Sequence, residues 1–235
     1  MYNDWMVFLA KSQGDLMMDE LLELAHAIHP FTICGEGNVS CRDGEAFLIK
    51  ASGTNLDDLG YDDLVRCGMD GKPHEGEEKK PSMEVSFHAW ILRTFPQINF
   101  VAHTHPTHTN KIVCSERIFS FAKRRLFPDQ IVRNGARSCV VPYATPGKPL
   151  RNAIKESIFQ FMTDERYFPK LILLQNHGII TAGTSVKDCI ASTLMCEKSA
   201  EIYSGARAMG SINYLTKEQI AEVDKSPDEK YRREI

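Results

Sequence analysis

Apolar residues recur along the chain at spacings that predict both helices and strands. They follow the helical period over about Asp15–His29, which ends at Pro30, and again over the longer stretch of about Val186–Met209. The continuous apolar run Leu171–Leu174 is instead typical of a strand buried on both faces. Because no internal repeat or linker divides the chain, we predict one mixed α/β domain over residues 1–235.

The same patterns assign most of the remaining chain. Further strands are predicted at Phe31–Cys34, at Ala46–Ile49, in the run that ends at His103, and at Ser138–Tyr143. Further helices are predicted at Glu84–Phe95, Asn110–Cys114, Leu150–Phe161 and after Thr216. Residues 69–80 are polar and are expected to form an exposed loop, whereas residues 115–137 carry no assignable pattern.

Composition and charge narrow the functional classes. The 235 residues carry a net charge of −3, so we expect no nucleic acid and no membrane as a partner, and we expect the short basic cluster Lys123–Arg125 in a solvated loop or an interface. Seven cysteines without a Cys-x-x-Cys pair indicate free thiols in a reducing compartment. No signal peptide or membrane-spanning run is recognisable, so the expected location is cytoplasmic.

The most informative histidines lie in the run Phe100-Val-Ala-His-Thr-His-Pro106. His103 and His105 are two residues apart at the end of a predicted strand and therefore point to the same side. Two imidazoles that share a point suit a metal such as zinc, although two such histidines can also be satisfied separately by backbone carbonyls. His177 lies where the predicted strand Leu171–Leu174 runs into a turn, and such positions often carry functional side chains.

A carboxylate completes this candidate ligand set. Pro81 and Ser82 are typical of a helix start, which places Glu84 in the first turn, near the positive end of the helix. Three histidines and a glutamate are sufficient ligands for a catalytic zinc that keeps one exchangeable position. His88 lies one turn after Glu84 and could orient it, but we expect it mainly to pack the helix.

Two glycine-containing turns are candidate anion sites. Gly35–Ser40 and Ala51–Asn55 follow predicted strands, and their glycines let backbone amides approach an anion while asparagine, serine and threonine add donors. Ser82 at the predicted helix start adds a third donor. Turns of this kind are more often structural, and the sequence contains neither a P-loop nor the dinucleotide-binding fingerprint.

Taken in chain order, several of these segments resemble motifs of the class II aldolase and adducin-domain family. The resemblance rests on Gly37–Ser40, Ser52–Gly53, Pro81-Ser-x-Glu84, His103-Thr-His105, Pro142–Thr145 and Asn176–Gly178, and it spans roughly residues 15–210. It implies an α/β fold with a central, largely antiparallel sheet covered by helices. Within the family, the pattern is most similar to fuculose-phosphate and rhamnulose-phosphate aldolases.

The resemblance also implies roles for individual residues. The zinc ligands would be His103, His105 and His177, which would also suit another divalent transition metal. Glu84 would be the catalytic acid/base and would approach the metal when substrate is absent. The residues that bind the substrate phosphate would be Gly37, Asn38, Ser52, Gly53 and Ser82. Family members are commonly homotetramers, and Tyr231 would be the catalytic tyrosine that helps to close a neighbouring subunit's site.

The implied reaction is zinc-dependent cleavage of a ketose 1-phosphate to dihydroxyacetone phosphate and an aldehyde through a metal-stabilised enediolate. These aldolases carry Pro-Ser-Ser-Glu, whereas this chain has Met83 in place of the second serine, so whether the substrate is phosphorylated stays open. A dehydratase, a decarboxylase or a 4-epimerase would use the same scaffold, although the epimerases carry aspartate where this chain has Glu84. A non-catalytic adducin-like binding domain is the alternative from another class, and it predicts the loss of metal ligands that are present here.

Overall fold

Seven strands form one sheet with helices on both faces. The computed structural model describes residues 13–227, and the strands in that range are β1 (Asn38–Asp43), β2 (Ala46–Lys50), β3 (Leu64–Gly68), β4 (Phe100–Thr104), β5 (Cys139–Val141), β6 (Leu171–Leu174) and β7 (Gly178–Gly183). Their order across the sheet is β3-β2-β1-β4-β7-β6-β5. All neighbouring pairs are antiparallel except β5 and β6, which confirms the largely antiparallel sheet that the resemblance implies.

Eight helices accompany the sheet within residues 13–227. They are α1 (Gln13–Ile28), α2 (Val85–Thr94), α3 (Thr107–Val113), α4 (Ile118–Lys123), α5 (Pro128–Asn134), α6 (Lys148–Glu165), α7 (Val186–Met209) and α8 (Lys217–Lys225). Apolar side chains of α2 and α6 cover one face of the sheet, and those of α1, α3, α4 and α7 cover the other. The long helix predicted at Val186–Met209 is confirmed at the same residues.

Alternation along the two central strands decides which side chains meet. In β4, Val101 packs into the core shared with α2, and Ala102 packs into the core shared with α1. His103 is therefore on the same face as Val101, toward α2. In β1, Val39 faces α1, which turns the adjacent Asn38 toward α2. Asn38 is paired with His103 across the ladder, so two polar side chains lie together beside the start of α2.

The predicted strand at Phe31–Cys34 is wrong. Phe31 ends a 3-10 turn that begins at His29, and the chain then turns through Cys34, Gly35 and Gly37 with φ values of 55°, 75° and 80°. A strand requires negative φ, so extended pairing starts only at Asn38. The strand β3, which no pattern predicted, pairs with β2 at one edge of the sheet.

The unassigned region 115–137 contains α4 and α5, and a buried arginine joins them. Lys123 and Arg124 are exposed as expected, but the expectation is wrong for Arg125, which is completely buried. Its guanidinium donates from Nε to the carbonyl oxygen of Gly135 at 2.8 Å, from Nη2 to Ser138 Oγ at 3.0 Å, and from Nη1 to carbonyls at the end of α4. Burial lowers the pKa of Arg125 to about 10, which leaves it charged at neutral pH.

Two further expectations concern thiols and membranes. All seven cysteines are free, as their spacing predicted, and five of them are buried. Among the helices of residues 13–227, none is long and apolar enough to cross a bilayer.

We expect the substitution Arg125→Met to lower the free energy of unfolding by about 3 kcal/mol. The methionine removes a donor from several buried carbonyls, and each buried acceptor left without a partner costs roughly 1–3 kcal/mol. Urea unfolding followed by circular dichroism measures the change. Lys123→Met, at the exposed end of α4, is the control and should change stability by less than about 0.5 kcal/mol. Equal stability of the two variants would contradict the structural role of Arg125.

Candidate metal centre and substrate cavity

Three histidines from two separate segments converge at one end of the sheet. His103 is in β4, His105 follows that strand directly, and His177 is in the turn between β6 and β7. One nitrogen from each ring lies within 4.8 Å of the other two, and the Nε2 atoms of His103 and His105 are 2.9 Å apart. The structure therefore brings together the three metal ligands that the sequence predicts.

A glycine allows the two ligand-bearing segments to approach this closely. A Cβ atom on Gly178 would lie 2.5 Å from His105 Cδ2 and 2.5 Å from the carbonyl oxygen of Thr104, which is closer than real Cβ contacts. Asn176 has a φ of 55°, so the preceding turn also leaves ordinary extended geometry. The turn at Asn176–Gly178 therefore places His177 against the end of β4.

Hydrogen bonds to the Nδ1 atoms of His103 and His105 determine which ring nitrogen is unprotonated. His103 Nδ1 lies 2.8 Å from the carbonyl oxygen of Ile179, and His105 Nδ1 lies 2.9 Å from Glu36 Oε2. A carbonyl and a carboxylate can only accept, so each Nδ1 must carry the proton. Both Nε2 atoms then present lone pairs to the centre of the cluster, which is the tautomer that metal coordination by Nε2 requires.

The cluster fits a divalent cation. Two unprotonated Nε2 atoms 2.9 Å apart repel each other unless a cation lies between them. Glu84 faces the same point, with Oε2 at 3.2 Å from His103 Nε2 and Oε1 at 3.6 Å from His177 Nε2. Its Oε1 is buried, and no donor among the described residues bonds to it. Imidazole and carboxylate donors of this kind suit zinc and neighbouring transition metals.

A chain of buried hydrogen bonds holds the other oxygen of Glu84. Asn38 Nδ2 donates to Glu84 Oε2 at 2.9 Å, Asn38 Oδ1 accepts from His88 Nε2, and Ser40 Oγ bonds to His88 Nδ1 at 2.7 Å. Because the carboxylate can only accept, it fixes the direction of every bond in the chain, with Ser40 as the donor at its far end. The expectation that His88 mainly packs the helix is therefore incomplete, since it also orients Asn38 toward Glu84.

Burial favours the neutral form of His103, His88 and His177. Burial lowers the pKa of His103 well below its usual range, and the neighbouring His105 and His177 lower it further. Burial likewise lowers the pKa of His88, which is completely enclosed, and of His177, where Glu84 partly opposes the shift. Neutral imidazoles are the form that binds a metal.

A cavity of about 520 Å³ opens beside the cluster and unites the other predicted residues. Its lining includes the five residues assigned to the phosphate, which are Gly37, Asn38, Ser52, Gly53 and Ser82. Glu84, His105 and His177 line the same cavity, as does Met83, whose side chain is largely exposed. Tyr231 lies outside the described residues, and its role stays a prediction.

Two charged residues of this cavity were not among the predicted site residues. Lys50 ends β2 directly before the Ser52–Gly53 turn, and it is the only lysine or arginine among the described lining residues. A lysine that closes an apolar strand before a serine-glycine turn is a signal that the sequence offers. Glu36 gives no comparable signal, because its contact with His105 depends on strand pairing between residues far apart in the chain.

Comparisons with known proteins agree with this geometry. The model of the Class II Aldolase and Adducin N-terminal domain matches residues 22–204. A 3-oxo-tetronate 4-phosphate decarboxylase from Haemophilus influenzae is 26% identical over 214 residues, which cover 89% of this chain and 97% of the relative. An L-fuculose phosphate aldolase from the same organism is 30% identical over 190 residues, with coverage of 78% and 80%.

A solved structure gives the same result at the level of the fold. The structure of an L-fuculose 1-phosphate aldolase superposes with a TM-score of 0.75 at 21% identity, covering 94% of this chain and 98% of that one. The family match spans most of the chain and includes every histidine and glutamate of the cluster. This protein belongs to the class II aldolase and adducin N-terminal domain family.

Proposed function

We propose that this protein is a metal-dependent lyase that decarboxylates a short phosphorylated 3-oxo sugar acid of the 3-oxo-tetronate 4-phosphate type. The observation that carries the proposal is the convergence of Glu84 and three histidines beside one cavity, which the predicted anion-binding turns also line. The matched decarboxylase supports this substrate class. A cavity of about 520 Å³ also suits a small, polar molecule.

The reaction breaks one carbon–carbon bond and returns one proton to carbon. The substrate carboxylate leaves as carbon dioxide, and the electron pair of the broken bond moves toward the adjacent carbonyl to give an enolate. A divalent cation held by His103, His105 and His177 would supply Lewis-acid stabilisation of that negative charge. The retained carbon then takes up a proton, and the product is dihydroxyacetone phosphate.

Glu84 is the proposed proton carrier. Asn38 occupies its Oε2, whereas Oε1 accepts no hydrogen bond from the described residues and faces the cluster. Oε1 is therefore the atom that would carry the proton to the substrate carbon. Decarboxylation, unlike aldol cleavage, requires no base to take a proton from a substrate hydroxyl group, so a single carboxylate suffices for it.

The turns at the cavity wall are the proposed phosphate site. Ser52 and Gly53 follow β2, and a Cβ atom on Gly53 would meet nothing within 4 Å, so the backbone there is open to close approach. Ser82 precedes α2, where helix amides favour an anion. Met83 stands where the aldolases have a second serine, so this wall lacks one hydroxyl group. We propose that Lys50 compensates for it, since it adds a positive charge to the same wall.

Aldol cleavage of a ketose 1-phosphate is the second candidate, because the chain also matches a fuculose-phosphate aldolase. That reaction generates the same enolate and adds the requirement for a base at the hydroxyl of the aldehyde half. Tyr231 is the sequence-based candidate for that role. A cytoplasmic homotetramer that uses zinc remains the proposed form of the working enzyme.

We expect zinc-loaded protein to convert 3-oxo-tetronate 4-phosphate to dihydroxyacetone phosphate with a kcat/KM at least about tenfold above that for fuculose 1-phosphate. Coupled detection of dihydroxyacetone phosphate measures both reactions. Glu84→Gln should lower kcat by roughly 100-fold or more, since a positioned acid–base group contributes about that much. The exposed Glu45→Gln is the matched control. A faster reaction with fuculose 1-phosphate would favour the aldolase, and activity that survives both a chelator and Glu84→Gln would contradict the proposal.

We expect His88→Phe to lower kcat by about tenfold with little change in KM, because supporting hydrogen bonds around a metal site typically contribute 10- to 100-fold. The phenyl ring fills the volume but cannot donate to Asn38, whose amide is then free to turn its oxygen toward Glu84. Steady-state kinetics separate the two constants, and zinc affinity should stay at the wild-type value. His74→Phe, in the exposed loop, is the control. Wild-type kcat in His88→Phe would contradict the role of the hydrogen-bond chain.

We expect Lys50→Met to raise KM for the phosphorylated substrate by about tenfold and to leave kcat within a factor of about three. A lost charge-assisted contact to an anion costs on the order of 1.5 kcal/mol. Burial lowers the pKa of Lys50, opposed by Asp63, so the charge on this side chain is sensitive to its surroundings. Competition by inorganic phosphate, measured in the same assay, should weaken in parallel. An unchanged KM would remove Lys50 from the phosphate site.

A further inference from the structure

Glu36 contacts one of the three histidines with its carboxylate. Its Oε2 accepts a hydrogen bond from His105 Nδ1 at 2.9 Å, and its Oε1 accepts one from the backbone nitrogen of Ile33 at 3.0 Å. Both oxygens are therefore engaged, one within the turn that carries the residue and the other on the imidazole. The two side chains are 31% and 19% exposed, which leaves the contact only partly screened by water.

His105 depends on this carboxylate in a way that His103 does not. His103 lies within β4 and donates to a backbone carbonyl of the adjacent strand, at Ile179. His105 lies beyond the last paired residue of β4, which is Thr104, so its Nδ1 bonds to a side chain instead. The orientation of this ring is thus set by Glu36.

The turn that carries Glu36 is held tightly in place. A Cβ atom on Gly37 would lie 2.8 Å from the carbonyl oxygen of His103, and one on Gly35 would lie 2.5 Å from Asn55 Oδ1. The backbone on both sides of Glu36 therefore lies directly against β4 and a neighbouring loop. A carboxylate anchored in this way is fixed before a metal arrives.

We infer that Glu36 is a positioning residue for the metal, which it supports through His105. Three neutral imidazoles contribute no negative charge to the centre. A carboxylate that accepts from the far nitrogen of a ligating histidine fixes its tautomer and raises the basicity of the ring. Glu36 thereby increases the affinity of the cluster for a divalent cation. The inference rests on the metal dependence in the proposed function.

Zinc titration against a chromophoric chelator tests this role without any substrate. We expect Glu36→Ala to bind zinc about 10- to 100-fold more weakly than the wild type, the range usual for partners of ligating histidines. Glu36→Gln keeps an acceptor for His105 Nδ1 and removes only the charge, so its affinity should lie between those of the wild type and Glu36→Ala. Glu75→Gln removes an exposed carboxylate from the 69–80 loop and should bind zinc as tightly as the wild type.

Thermal unfolding of the metal-free variants checks that each is folded, and Glu36→Gln covers the case in which the alanine variant is not. Wild-type zinc affinity in both Glu36 variants would overturn the inference while leaving the proposed function intact. A wild-type protein that binds neither zinc nor another divalent transition metal would overturn the metal-dependent function together with this role. Tight zinc binding without decarboxylation or aldol cleavage would reject the proposed function alone.

Discussion

The close approach of β4 to its neighbours on both sides is the constraint on which the site depends. β1 brings Asn38 opposite His103, and β7 begins at Gly178 directly beside His105. Hydrogen-bonded strands are spaced by about 5 Å, so side chains on adjacent strand ends meet without a long loop to carry them. The positions of the candidate metal ligands, of the residue that holds Glu84 and of the turn that carries Glu36 all follow from these two pairings.

Much of the fold and most of the site follow from local signals in the sequence. The apolar run Leu171–Leu174 and the helical period of Val186–Met209 are strong because burial leaves the same pattern regardless of neighbours. Those signals fail where conformation is set by a few backbone angles, as at Cys34, whose positive φ converts an apolar stretch into a turn. The prediction for Arg125 is wrong for a related reason. Its partners are backbone carbonyls and the Ser138 hydroxyl, which leave no complementary charge in the sequence.

Some site residues are likewise recognisable from local sequence patterns, and others are not. His103 and His105 are recognisable because they are two residues apart at the end of a strand, and Glu84 because helix-start residues lie beside it. The helix itself begins one residue after Glu84, at Val85, so Glu84 is its N-cap and not a residue of its first turn as predicted. The functions of His88 and Glu36 depend on contacts between residues far apart in the chain, and periodicity carries no information about such contacts. In the proposed mechanism, Glu84 and the three histidines would act on the carbon that the product retains. Different leaving groups therefore suit the same machinery, which is consistent with both a decarboxylase and an aldolase among the relatives.

The sheet order has a consequence for how the protein is made. β4 pairs with β1, which precedes it, and with β7, whose Ile179 is 76 residues further along the chain than His103. During synthesis from the N-terminus, the edge of β4 that pairs with β7 therefore has no partner strand until β5, α6 and β6 have been added. His177, the last predicted metal ligand in the chain, directly precedes the strand that covers this edge. A chain that ends before His177 therefore lacks both the strand that covers this edge of β4 and one of the three histidines of the candidate metal cluster.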